Sequence, residues 1–207
     1  MKFVPHILFF LAIKAAAQSL TGGPIQIKME NDSIQTSVSN PEVTISFRCE
    51  NQSGTALLLY GIDAPVRLLP FKAEMWCDHE RVSAGLALII YNNQLKQKPP
   101  MHYIHSDKKL DPMSTERLDS LMKISKLNYY TTTKVLEAHE TVNLKKTIKL
   151  HEYNLERGIY FLQLVYFSGK QVTTLVEMSQ IDSDRKIHKA ELYQGCAISN
   201  RISIIID

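Results

Sequence analysis

Apolar residues in this chain recur with a period of two. In Pro24-Ile25-Gln26-Ile27-Lys28-Met29-Glu30, Ile25, Ile27 and Met29 fall on one side and polar residues on the other. Val43, Ile45, Phe47 and Cys49 repeat the pattern inside Val43-Thr44-Ile45-Ser46-Phe47-Arg48-Cys49-Glu50. That alternation suits a half-buried strand and not an amphipathic helix, whose apolar stripe needs a 3.6-residue period. Residues 56–60 and 86–91 are apolar on both faces. Val142, Leu144, Ile148 and Leu150 share a parity within a lysine-rich stretch. Residues 158–167 are aromatic and branched, and Arg201-Ile202-Ser203-Ile204-Ile205-Ile206-Asp207 ends the sequence. Between these runs stand turn formers: Asn51-Gln52-Ser53-Gly54, Gly61-Ile62-Asp63-Ala64-Pro65, Asn92-Asn93, Pro99-Pro100 and Ser168-Gly169-Lys170. Many short strands between such breaks predict an all-β antiparallel sandwich of about 7–9 strands rather than βαβ units.

One helix is expected within this frame. Asp111-Pro112 supplies an N-cap and a proline at the first helical position, and Leu118, Leu121 and Met122 follow at helical spacing. The spacing predicts an inserted helix near 112–126, covering the outer face of the strand at 86–91. The charged segment 170–190, with Asp182, Asp184, Arg185, Lys186, His188 and Lys189, reads as a long loop or hairpin tip.

The first residues set the expected compartment. Met1-Lys2 is followed by Ile7-Leu8-Phe9-Phe10-Leu11-Ala12-Ile13 and then by Lys14-Ala15-Ala16-Ala17. A positive start, a short apolar run and small residues before Gln18 form a secretory signal pattern, with cleavage near Ala17. The alternative is a buried N-terminal strand or helix. The apolar run is too short to span a bilayer, and no integral membrane segment is expected elsewhere. The reading is therefore a signal peptide at 1–17 and one domain at 18–207 with an elaborated middle segment, 92–135, exported to the periplasm or extracellular space. Export permits disulfides. Of the three cysteines, Cys49 lies on an apolar strand face, whereas Cys77 and Cys196 lie in polar, turn-like settings. A Cys77–Cys196 bridge with Cys49 free and buried is expected; two other single pairings stay compatible with the sequence. The formal charge is only +3, from 24 basic and 21 acidic side chains, and Lys2 and Lys14 would leave with the signal. A nucleic-acid binder would show a larger or more clustered excess.

Motifs that carry chemistry are scarce. His79-Glu80, His139-Glu140 and His151-Glu152 begin like a zinc-protease helix, but the position four after each histidine is Ser83, Asn143 or Leu155, so the two-histidine face cannot form. There is no G-x-S-x-G, no phosphate loop, no G-x-G-x-x-G and no C-x-x-C. No cofactor is implied. The best local candidate for binding is Pro99-Pro100-Met101-His102-Tyr103-Ile104-His105 among Lys96, Lys98, Lys108 and Lys109. His102, Tyr103 and His105 would give a cationic, aromatic, proline-stiffened loop; the competing reading is a lysine-guarded strand edge. Tyr129-Tyr130 reads as half-buried strand or as a stacking surface for sugars. Asn31-Asp32-Ser33 and Asn51-Gln52-Ser53 match the glycosylation triplet.

Leu155-Glu156-Arg157-Gly158-Ile159-Tyr160 resembles the L-x-x-G-x-Y tyrosine corner of Ig-like and fibronectin-III-like sandwiches. Tyr193-Gln194-Gly195 with Ser199-Asn200-Arg201-Ile202 resembles the approach to the last strand in exported Ig-like sandwich proteins of Bacteroidota. Together with the strand at 43–49 followed by Asn51-Gln52-Ser53, the resemblance covers about half the chain. It implies an Ig-like fold in which Gly158 admits the chain to its strand and Tyr160 places its ring in the core. Leu162 stands where an antibody-type domain has cysteine, and Trp76 is misplaced for the packed tryptophan, so antibody-type recognition is not implied. The resemblance implies a non-catalytic binding, accessory or structural module of the cell envelope, acting on a protein or glycan. The alternatives are a protease inhibitor presenting the 92–105 loop and a metal-assisted hydrolase on a sandwich scaffold.

Overall fold

The structure is a computed structural model and describes residues 23–39, 42–68, 85–98, 123, 126–127, 129–169 and 172–207. In chain order its strands are β1 (Ile25–Met29), β2 (Ser33–Thr36), β3 (Glu42–Asn51), β4 (Leu57–Leu59), β5 (Arg67–Leu68) and β6 (Gly85–Asn92). There follow β7 (Gln97–Lys98), β8 (Lys134–Leu136), β9 (Thr141–Lys149), β10 (Gly158–Ser168), β11 (Glu191–Leu192) and β12 (Gly195–Ile206). A 3-10 turn at Leu150–Tyr153 joins β9 to β10. Helices α1 (Val172–Leu175) and α2 (Met178–His188) lie between β10 and β11.

Nine strands form two sheets that enclose one core. The first sheet has the order β1-β3-β9; the second has β2-β12-β10-β6-β5, with β7 paired to β6. β1, β3 and β9 thus face β6, β10 and β12 across a β-sandwich, with β2, β5 and β7 added to the second sheet. The alternation seen in the sequence becomes the inner face. Ile25, Ile27, Met29, Val43, Ile45, Phe47 and Cys49 from one layer meet Leu88, Ile90, Leu162, Leu164, Ile202 and Ile204 from the other in a single cluster. The doubly apolar strand β6 buries both of its faces. Leu86, Leu88 and Ile90 point into the sandwich, while Ala87, Ile89 and Tyr91 join Val165 and Phe167 in a second cluster on the outer side. The helix expected near 112–126 falls outside the described residues except Lys123 and Lys126, both helical and exposed. Its packing on β6 likewise lies outside them.

The sheets are not purely antiparallel. β2 runs parallel to β12, β5 parallel to β6, and β11 parallel to β4. The first of these arises because the chain leaves one sheet and joins the other between Met29 and Ser33. Asparagine side chains replace the ladder at this switch. Asn31 Oδ1 accepts the Ser46 N–H at 2.9 Å. Asn200 Oδ1 accepts the Met29 N–H at 2.7 Å, and its amide donates back to the Met29 carbonyl. Asn200 can reach because β12 bulges there: the register slips between Gln163 and Val165, and Ser199 Oγ accepts the stranded Leu164 N–H at 2.9 Å. The Ser199-Asn200 pair is thus a bulge and a bridge. Upstream in the same motif, the Tyr193 ring stacks on Tyr166 with centroids 5.8 Å apart.

At the β9–β10 corner, Gly158 has φ of +150°, a backbone that side chains disfavour. Two residues on, Tyr160 is buried, and its hydroxyl accepts the Glu156 N–H at 3.1 Å. This bond pins the loop to the strand it feeds. Replacing Tyr160 by Phe keeps the ring and removes the acceptor; equilibrium urea unfolding is expected to show a loss of about 1 kcal/mol with an unchanged m-value.

Candidate functional site

The run at 56–60 is apolar throughout because it serves two cores. Leu57 and Leu59 belong to the sandwich cluster. Leu58 and Tyr60 instead join Tyr129, Val172, Val176, Ile181 and Ala190 in a separate cluster. That second core underlies a third sheet of order β11-β4-β8. Its strands come from three different connections: β3 to β6, the segment leading into β9, and β10 to β12. All three approach the same end of the sandwich, where Ig-type loops gather. Here the loops are built into a cap.

Asn51, the last residue of β3, fastens cap to sandwich. It is fully buried. Its amide donates to the Thr55, Leu136 and Glu137 carbonyls at 2.7, 3.1 and 2.9 Å, and its Oδ1 accepts both the N–H and the hydroxyl of Ser53. A glycan cannot be carried by this side chain in the folded protein, and Asn31 is likewise engaged at the strand switch. A second tie is ionic. Lys146 is on the inward parity of β9 and reaches across to Asp63, donating to its carboxylate at 2.6 Å and to its carbonyl; Lys134 lies 3.4 Å from the same carboxylate. Burial opposes ionisation of Asp63, but the hydrogen bond and charge of Lys146, with Lys134 behind it, hold the carboxyl below its usual range.

The third tie holds α2. The segment 170–190, expected as a loop or hairpin tip, contains both helices. Its charges sit on the solvent face, while Ile181 and Asp184, three apart, are the buried residues of α2. Tyr60 donates to Asp184 Oδ2 at 2.6 Å inside the cap, and Gln180 donates to Asp184 Oδ1 at 2.9 Å and to the Tyr130 hydroxyl at 2.9 Å. Burial and this carboxylate push the Tyr60 hydroxyl far above the ordinary phenol range, so it remains a donor. Tyr129 stacks on Tyr60 at 6.2 Å and lies against Gly61, where a Cβ would stand 2.3 Å from its ring. Gly61 also has φ of +71°, so both sterics and backbone require glycine there. Residues 129–131 are helical rather than strand, with Tyr129 buried and Tyr130 exposed.

Between the other face of α2 and β11 opens a cleft of about 460 Å³. Met178, Ile181 and Leu192 make its apolar floor; Asp182, Arg185 and Glu191 make its rim. Met178 is exposed, and Arg185 faces Asp182 at 3.9 Å. A smaller cavity of about 160 Å³ lies at the opposite end, between the end of β2 and the 3-10 turn, lined by Val38, Leu150, His151 and Asn154 among others.

The sequence candidates distribute as follows. His102, Tyr103, His105 and Cys77 lie outside the described residues. Of the histidine–glutamate pairs, His139 and His151 are both exposed on turns, and no group of three metal-ligating side chains occurs among the described residues. Cys49 is free and buried, its thiol pushed up to about 12 by burial, which removes it as a nucleophile. The first part of the 92–105 segment is a hairpin from β6 to β7. Asn92 Oδ1 accepts the Gln94 and Lys96 N–H groups, and Leu95 sits exposed at the tip with φ of +58°. The cleft itself escaped the sequence reading, although Met178, Ile181 and Arg185 recur at helical spacing. Neither a family model nor a curated protein matches this chain.

Two substitutions check the ties. Asn51→Ala leaves the Leu136 carbonyl without its side-chain donor, and urea titration is expected to show a loss of about 3 kcal/mol. Asp63 has its folded pKa below its unfolded one, so its contribution is complete above about pH 4 and vanishes as pH falls through the folded value. Urea midpoints measured between pH 6 and pH 2 are expected to fall more steeply for the wild type than for Asp63→Asn.

Proposed function

We propose that this chain is an exported, non-catalytic binding or accessory module of the cell envelope that engages a protein or glycan through its cap. The observation that carries this reading is the cleft between α2 and β11, where apolar side chains form the floor and charged groups only the rim. The ionisable groups there support recognition: Asp182 and Arg185 are turned to each other. The sandwich supplies a rigid base, and the cap supplies an irregular surface on top of it. Kinship with exported Ig-like proteins of Bacteroidota belongs to the same proposal, resting on the corner and last-strand motifs. So does removal of residues 1–17, which rests on the signal pattern. Among the described residues no helix is long and apolar enough to cross a membrane. A Cys77–Cys196 bridge belongs to the same proposal and is supported by Cys49 being a free, buried thiol.

A second reading, a protease inhibitor, is favoured by Leu95. An aliphatic side chain held in a left-handed conformation by the Asn92 bracket stores strain at an exposed tip. One experiment addresses both. The mature protein, Met178→Asp and Leu95→Gly are each used as bait in the protein's own envelope extract. Loss of the captured component with Met178→Asp alone is the expected result; loss with Leu95→Gly alone transfers the function to the hairpin, and capture insensitive to both removes the cap reading.

A further inference from the structure

We infer that the cap cleft takes an extended polypeptide segment, which adds as a strand to the open side of β11. This rests on the cap being the binding surface and specifies the chemical class of its ligand. The direction of the backbone carries it. Glu191 and Tyr193 donate their N–H groups to Ala56 and Leu58 of the β4 side, at 2.8 and 3.1 Å. Strand alternation then turns the N–H and carbonyl of Leu192 the other way. β11 is the edge strand of its sheet among the described residues, and its Glu191 and Leu192 both line the cleft. A backbone edge is completed by another backbone, which offers donor and acceptor at strand spacing.

The surroundings set the length and character of the segment. At about 460 Å³ the cleft falls within the range of small-ligand pockets, ~300–1,000 Å³, enough for a few extended residues and not for a folded surface. Met178, Ile181 and Leu192 line it with flexible and branched apolar groups, so the segment carries an aliphatic side chain as its anchor. Edge strand β9, by contrast, is defended: it bears Lys145 and Lys149 on its exposed face, the usual protection against strand addition. β11 bears Glu191 and Leu192 in their place, and its two-residue length admits a short peptide without inviting sheet-to-sheet aggregation.

The test uses random heptapeptides displayed on phage, selected against the mature chain, with enriched sequences synthesised and titrated by fluorescence anisotropy. Enriched peptides sharing an aliphatic position are expected. Their binding should weaken at least tenfold with Met178→Asp and with Arg185→Glu; both positions are exposed, so thermal melting monitored by circular dichroism should stay unchanged. N-methylation of single peptide amides should abolish binding at one position only, that of the amide facing the Leu192 carbonyl. Peptides indifferent to both variants, or to N-methylation at every position, overturn the inference. So does a dimer in sedimentation that Met178→Asp dissociates, which makes the occupant a second copy. A glycan array signal lost with Met178→Asp, with no peptide enriched, overturns the strand-addition inference and leaves the cap as a binding surface. No ligand of either kind overturns both.

Discussion

One buried amide joins the two halves of this molecule. Asn51 ends a core strand, yet its side chain belongs to the cap, where it holds three carbonyls from two connections. Without such a group the Leu136 carbonyl at the end of β8 would lose its side-chain donor in a buried junction. Asparagine suits the place because one planar head offers donors on one side and an acceptor on the other. Lys146 and Asp63 repeat the solution a short way off, using charge where the site is half-exposed. The cap is fastened to the sandwich by these polar contacts and by Leu57, Leu59 and Leu136, whose side chains enter the sandwich core. Its apolar core is a separate, smaller cluster.

Legibility in the sequence follows from this division. The sandwich strands were readable because each has one inner face, and a single face writes a period of two. The tyrosine corner was readable because glycine and tyrosine are needed two residues apart in one local motif. The cap was not, since its sheet draws single short strands from three distant connections. Leu57-Leu58-Leu59 showed only that both sides are apolar, not that the sides belong to different cores. In 178–188 the density of charge concealed a helix whose buried face includes a carboxylate, Asp184, that counts as solvent-facing until Tyr60 is placed beside it. Asn31 and Asn51 matched a modification triplet because a local triplet is blind to burial. The parallel pairings were equally hidden, being consequences of where the chain crosses between sheets.

The same contrast bears on where function sits. In the sandwich, buried Ser199 and half-buried Asn31 and Asn200 are engaged at the strand switch and the bulge. The cap has different economics of structure. Its helix α2 starts at Glu177 without a side-chain cap and buries only Ile181 and Asp184 along its length. Its last turn carries Arg185, Lys186 and His188, which complement the helix dipole but add little. What secures it is the hydrogen-bonded carboxylate at its centre. An element held at one point by a buried polar bond, with few apolar contacts around it, belongs to the part of a fold that opens first.

On the proposed reading, that weakness lies beside the binding cleft. The cleft has a firm wall and a yielding one. β11 is paired to β4, which continues into both cores, whereas α2 buries only Ile181 and Asp184. A segment bound between them would satisfy the free edge of β11 and add apolar contact to the exposed flank of α2 at Met178. Each contact supplies what its wall lacks. Binding would then stabilise the cap by mass action while leaving the tyrosine corner and the strand switch untouched, so that ligand recognition is coupled to one end of the molecule and the fold itself to the other.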